Sequence, residues 1–217
     1  MAYIVGFVSQ KGGVGKSTLA RLLAREIAVG GANVKIADVD IQQGTSYEWA
    51  KRRALHGVEP AIRIETFSSI KAALAEASQY DVYIFDGAPH ASKDTLAIAK
   101  ACDLIVIPTA QGLDDLHPSI LLAHDLLSEG IPVGRIAFAL VRVTDSEAEL
   151  KAARDYIERA GYRVLKGELP MRTGYSKAHD TGRALTEAPF PSLASKADEV
   201  AQSLVDAVAA ASRQEAA

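Results

Sequence analysis

Cysteine is almost absent from this chain: 217 residues contain one, Cys102. A single thiol excludes an internal disulfide and any all-cysteine metal or iron–sulfur site within one chain, and it suits a reducing compartment. Excess charge is also missing. Lys and Arg number 24 against 27 Asp and Glu, a net charge of −3, so attraction of nucleic acid to the molecule as a whole is excluded, and any such contact must come from a local basic patch. No apolar run approaches the ~20 residues of a membrane span. The first residues lead directly into an apolar segment, with no charged leader and cleavage site, so the expected location is cytoplasmic. Repeats, low-complexity tracts and linkers are lacking as well. One domain is expected over 1–212, with 213–217 a disordered tail.

What is present is alternation. Hydrophobic residues make up 48% of the chain, enough for one substantial core. Short β-branched runs at Tyr3–Val8, Val34–Val39, Ala61–Glu65, Val82–Asp86, Leu104–Pro108, Ile136–Val143 and Arg163–Leu165 read as strands. Between and after them, Ser17–Val29, Thr45–Leu55, Ser69–Ser78, Asp94–Ala101, Leu116–Ser128, Glu147–Ala160 and about Ser192–Ser212 read as helices. Strands as apolar as Ile105-Val106-Ile107 imply helices on both faces. The expected architecture is α/β, a three-layer αβα sandwich around a mainly parallel, twisted sheet of roughly seven strands, with ligands at the strands' carboxyl ends.

The first strand runs into Ser9-Gln10-Lys11-Gly12-Gly13-Val14-Gly15-Lys16-Ser17-Thr18. Glycines there let successive N–H groups turn toward one centre, Lys16 can reach terminal phosphates, and the Ser17 hydroxyl can hold a magnesium ion. The loop departs from the common Gly-x4-Gly-Lys-[Ser/Thr] pattern in having Gln10 in place of the first glycine, and it carries a second lysine, Lys11. A cradle with Lys16 has no need of Lys11 for its own phosphate. Asp86 closes an apolar strand, where a carboxylate can hold the magnesium directly or through water. Asp38 and Asp40, two apart, leave two readings open: one positions the attacking water while the other supports the metal shell, or one is catalytic and the other caps a helix.

Together these residues resemble the deviant Walker ATPases typified by the ParA-type partition proteins of the ParA/MinD superfamily. Ile41-Gln42-Gln43-Gly44-Thr45-Ser46 is similar to that family's DPQG-type segment, with Ile41 in place of its usual proline, and Leu169-Pro170-x-Arg172 is similar to its late loop. Gly87-Ala88-Pro89-His90 stands where many relatives have two prolines after Asp86. The resemblance implies a P-loop NTPase domain of the short form, without an N-terminal helix-turn-helix. It implies ATP and Mg2+ as cofactors, with Lys11 to Thr18 (Lys11, Gly12, Gly13, Val14, Gly15, Lys16, Ser17, Thr18) at the nucleotide. Ser17, Asp86 and Asp38 would stand at the metal, and Asp40 would position the water. Lys11 would reach the nucleotide of the other subunit, so that ATP joins a homodimer. The implied partners are non-specific DNA in the nucleoid and a centromere-binding (ParB-like) or cargo adaptor protein. Arg172, Lys177 and Arg183, in the late loop and helix, are DNA-contact candidates. A protein cargo such as a chemoreceptor cluster or carboxysome is the alternative. A Min-type membrane role is disfavoured by Val200–Ala211, which is Ala-rich and poor in basic residues. A metabolic enzyme on the same fold would need a substrate motif that the sequence does not show.

His90, His117, His124 and His179 lack metal-ligand spacing and read as incidental. Cys102 reads as packed core, Trp49 and Tyr47 as buried against the sheet, and the acids of Gly112-Leu113-Asp114-Asp115-Leu116 as suited to a helix start.

Overall fold

The computed structural model describes residues 2–89 and 93–214. Seven strands, β1 (Tyr3–Phe7), β2 (Val34–Asp38), β3 (Arg63–Thr66), β4 (Val82–Asp86), β5 (Leu104–Thr109), β6 (Ile136–Val143) and β7 (Arg163–Val164), lie in the order β3-β2-β4-β1-β5-β6-β7. Every neighbouring pair is parallel. A two-residue strand that the pattern did not predict, β8 (Leu169–Pro170), adds to β6 past a register shift.

The near-continuous apolar strands divide by parity, as a pleated strand must. Val5, Phe7, Ile36, Ile84 and Val106 join one buried cluster, with side chains of α1 (Lys16–Val29), α2 (Thr45–Leu55), α7 (Thr173–Asp180) and α8 (Pro191–Gln214). Ala37, Tyr83, Phe85, Ile105 and Ile107 join a second, with α3 (Ile70–Ala77), α4 (Lys93–Ala101), α5 (Leu113–Ser128) and α6 (Glu147–Arg159). Each fully buried Ile, Leu or Phe contributes about 1.5–3 kcal/mol, so both faces have to be covered, and four helices cover each. The three-layer parallel architecture expected from the sequence is the one found. Helix α8 is helical through Gln214, and residues 215–217 lie outside the described ones. Among the described residues no helix is long and apolar enough to cross a membrane.

Parallel strands end on a common edge. β1 lies between β4 and β5, and the chain leaves it toward β2 on one side and later extends through β5 and β6 on the other. The loop after β1 therefore sits at the point where the strand order reverses, the crevice that open α/β sheets use for ligands.

Candidate functional site

Val8 to Gly15 connect β1 to α1. Gly13 and Gly15 are left-handed, at φ 70° and 108°, and a Cβ on Gly15 would lie 3.2 Å from Val141 Cγ2. Glycine is thus required there both by conformation and by the approach of β6. Gly15 is also the N-cap of α1, with no capping side chain and no acidic residue in the first turn. The first N–H groups of a 14-residue helix remain available to an anion, reinforced by the helix dipole. Lys16 is 7% exposed, and its Nζ donates to the Lys11 carbonyl at 3.3 Å. Burial lowers its pKa, opposed by the nearby carboxylates of Asp86 and Asp40. Arg142, at the end of β6, closes the loop from the other side: its Nη1 donates to the Gly13 carbonyl at 2.6 Å. Among the described residues it is the one non-glycine at positive φ, 57°.

Sheet register sets the carboxylates. Asp38, Asp86 and Phe7 are the final residues of β2, β4 and β1, and Asp86 is the register partner of both the others. Asp38 and Asp86 are essentially unexposed. Each needs compensation for the loss of water. Asp38 accepts backbone N–H groups from Asp40 (3.2 Å), Ser46 (3.0 Å) and Tyr47 (3.3 Å), which ties the N-terminus of α2 to the end of β2. Burial and the neighbouring charge of Asp86 raise its pKa to about 6, against those three amides. Asp86 Oδ2 accepts from Ser46 Oγ at 2.6 Å, and its buried Oδ1 has no hydrogen-bond partner. Burial raises the Asp86 pKa, opposed by the Ser46 hydrogen bond, the charge of Arg21, the Ser17 hydroxyl, which lies near the carboxylate but outside hydrogen-bonding geometry, and the charge of Lys16. Arg21 Nε in turn donates to Ser46 Oγ at 3.1 Å.

Asp40 sits in the turn before α2, its carbonyl accepting from Gly44 N at 2.7 Å and Gln43 N at 3.2 Å. Ile41 does not prevent that turn. The Ser17 and Thr45 hydroxyls are 3.0 Å apart, joining α1 to α2 beneath it. Gly12, Gly13, Gly15, Lys16, Ser17, Thr18 and Asp40 line one cavity of about 760 Å³, within the size range of small-molecule sites. Asp38, Asp86, Lys11 and Val14 are not on its wall.

Lys11 turns away from the cradle. Its Nζ donates to the Asp114 carbonyl and to Asp115 Oδ1, the latter at 2.9 Å. Local chemistry explains the first contact. Pro118 lies inside α5 and has no N–H, so the carbonyl four residues earlier, that of Asp114, lacks its helical donor. The Lys11 ammonium supplies one.

The DNA-contact candidates differ in setting. Lys177 is exposed on α7, whereas Arg172 and Arg183 are half-buried. Arg172 pairs with Asp145 and lines the cavity, and Arg183 Nη1 donates to Thr181 Oγ1 at 3.0 Å. Of the residues read as incidental, His179 also lines the cavity, with a buried, unpartnered Nε2. Burial and the charges of Arg21 and Arg52 push its pKa down to about 3. His117 and His124 face a small recess beside Tyr156 and Arg159, and His90 lies outside the described residues. Cys102 is fully buried, and burial pushes its thiol pKa up. Trp49 is buried beneath Arg21 and Arg53, but Tyr47, expected to be buried, is 39% exposed with Lys51 over its ring. Sequence reasoning placed Arg142 and Pro170–Arg172 near the nucleotide base but assigned no role to Ser46 or Arg21, whose hydrogen bonds join α1 through α2 to the end of β4.

A search of curated protein sequences returned no match. Solved structures of the same fold include the septum site-determining protein MinD of Pyrococcus horikoshii, complexed with Mg-ADP, at 16% identity and TM-score 0.75, covering 94% of this chain and 96% of that one. McdA of Cyanothece superposes at 16% identity and TM-score 0.70, covering 94% and 100%. A ParA family ATPase of Chlorobium tepidum does so at 19% and 0.67, covering 94% and 99%. The model of the CobQ/CobB/MinD/ParA nucleotide-binding domain matches residues 5–185, a span that includes the cradle, Asp38, Asp40, Asp86 and the late loop, and the chain belongs to that family.

Proposed function

We propose that this chain is a Mg2+-dependent ParA-like ATPase that forms an ATP-bound dimer, binds DNA without sequence preference and positions plasmid or chromosomal DNA, its hydrolysis stimulated by a partner protein. The observation that carries the reading is the convergence of a cationic, anion-accepting helix N-terminus with two buried carboxylates at one switch point. In this reading Gly12 to Thr18 and Lys16 hold the phosphates. The residues present fit a magnesium ion as well: Asp86 Oδ1 is a buried carboxylate oxygen without a partner, and Ser17 lines the cavity beside Lys16. Asp86 and Ser17 would hold the ion, which when bound would supply positive charge against the charge that develops during phosphoryl transfer. Asp40, on the cavity wall, orients the water. Asp38, its oxygens engaged by three amides, holds the turn that carries Asp40. Lys11 completes the site of a second chain, much as an arginine finger acts in trans.

DNA is favoured over a membrane surface because α8 spends its apolar face on the core: Ala197, Val200, Ala201, Leu204, Ala207 and Val208 are all buried. Phosphate release and DNA co-sedimentation, each with and without ATP, test the reading. The wild type is expected to hydrolyse ATP slowly and to sediment with DNA only when ATP is present. Lys16→Ala should lose both activities, and retention of ATP-dependent DNA binding by that variant would refute the assignment.

A further inference from the structure

We infer that Ser46 is a positioning residue for the metal-binding carboxylate, holding Asp86 in the orientation that presents one oxygen to magnesium and keeping Arg21 from pairing with it directly. The inference rests on the hydrolytic reading above. Its direction follows from proton counting. A guanidinium only donates, and a serine hydroxyl has one proton and two acceptor sites. Arg21 Nε at 3.1 Å must therefore donate to Ser46 Oγ. The hydroxyl proton is then free for Asp86 Oδ2 at 2.6 Å. The chain Arg21 to Ser46 to Asp86 has one sense, and it leaves Asp86 Oδ1 without a partner.

Ser46 is itself fixed, because its backbone N–H donates to Asp38 Oδ2 at 3.0 Å. That contact anchors the start of α2 and does not involve the hydroxyl, so the anchoring role leaves the hydroxyl unexplained. The charges supply the explanation. Arg21 is 5% exposed, and its charge and that of the wholly buried Asp86 already influence each other. Oppositely charged groups so poorly hydrated attract strongly. The hydroxyl stands between them as a spacer: it passes a hydrogen bond to the carboxylate and withholds the cation. Without it, Oδ2 would lose its donor, and rotation of Asp86 toward Arg21 would be the available compensation, taking the carboxylate from the ion. The same hydroxyl lies one residue from Thr45, which meets Ser17 Oγ at 3.0 Å, so α2 touches both protein groups assigned to magnesium.

The test uses Mn2+ as the metal probe. Its binding to the full chain with a non-hydrolysable ATP analogue is titrated by electron paramagnetic resonance, with circular dichroism to establish folding. Removal of partners that orient metal ligands commonly weakens metal affinity by about 10–100-fold. Ser46→Ala is expected to weaken Mn2+ binding by about tenfold or more, while affinity for the nucleotide alone, measured with the metal chelated, stays near wild type. Ser46→Thr, which keeps the hydroxyl, should restore the affinity. Wild-type Mn2+ affinity in folded Ser46→Ala would overturn the proposal, as would a loss in Ser46→Thr as large as that in Ser46→Ala. Should Ser46→Ala fail to fold, Ser46→Cys, close in volume and a weak donor, carries the same expectation. Failure of the hydrolytic reading itself would look different: the wild type would then bind no Mn2+ with the analogue.

Discussion

His179 is held from water and feels the charges of Arg21 and Arg52, and this sets its response to acid. The free side chain takes up a proton near pH 6.5, but in the folded protein uptake waits until about pH 3 because of burial, Arg21 and Arg52. Below pH 6.5 the unfolded chain therefore binds the extra proton and the native one does not, so falling pH favours unfolding. Stability from the neutral imidazole is complete above pH 6.5 and lost as the pH drops from there toward 3. The slope from one such group reaches about 1.4 kcal/mol per pH unit. Urea unfolding at pH 7 and pH 5 should show His179→Leu losing roughly 2 kcal/mol less than the wild type on acidification, and equal losses in the two proteins would contradict this account. The residue was legible in the sequence only as a histidine without ligand spacing. Its surroundings come from α1 and α2, more than 120 residues earlier in the chain, and no local pattern announces them.

Helix α2 is held at both ends, and its far end is fixed more firmly than its sequence suggests. Arg53, 1% exposed, donates to both Glu187 oxygens at 2.7 and 3.0 Å, to the Gly182 carbonyl at 2.9 Å and to the Pro60 carbonyl at 2.8 Å. Removing one partner of a buried pair typically costs about 3–5 kcal/mol, because the remaining charge has no compensation. Glu187→Ala should therefore destabilise the protein by about 3 kcal/mol in urea unfolding. Gly182→Ala attacks the same junction sterically: its φ is +71°, and a Cβ would fall 2.1 Å from Arg53 N. The two substitutions should be less than additive when combined, since both separate α2 from the segment after α7. A well-packed double variant with fully additive losses would show that the junction is not one unit.

Elements such as β1, β4 and β5 were readable because each is a continuous apolar run buried on both faces. β8 and α7 were not. β8 is two residues long, and α7, Thr-Gly-Tyr-Ser-Lys-Ala-His-Asp, buries only Gly174, Tyr175 and Ala178, too little to form an apolar stripe. Its Gly174 leaves room for Leu193 and Phe190, against which a Cβ would clash at 2.5 and 2.8 Å. The cradle was legible because Lys11 to Thr18 are contiguous. The Ser46–Asp86 bond joins residues 40 apart in sequence and becomes visible only once β2 and β4 are known to be neighbours.

On the scale of the whole molecule, the proposed dimer requires Lys11 to leave its own chain. What holds it there is an ion pair whose side chains are 42% and 32% exposed, supplemented by the carbonyl that Pro118 leaves without a helical donor. Exposed pairs contribute about 0.2–1 kcal/mol, a factor of no more than about five in an equilibrium constant. In the proposed dimer, exchange of Asp115 for the phosphates of a second chain therefore costs little, whereas loss of the lysine removes the charge it would offer across the interface. The two residues should accordingly behave as opposites of unequal size. In analytical ultracentrifugation with a non-hydrolysable ATP analogue, Lys11→Ala should remain monomeric, and Asp115→Asn should dimerise with a Kd lower by at most about 25-fold, since two such pairs are released per dimer. Both variants should bind the analogue in the monomer as the wild type does, since Lys11 is absent from the wall of the cavity. A dimer formed by Lys11→Ala at wild-type concentrations would remove the lysine from the interface and, with it, the reason to regard the cradle as a shared site.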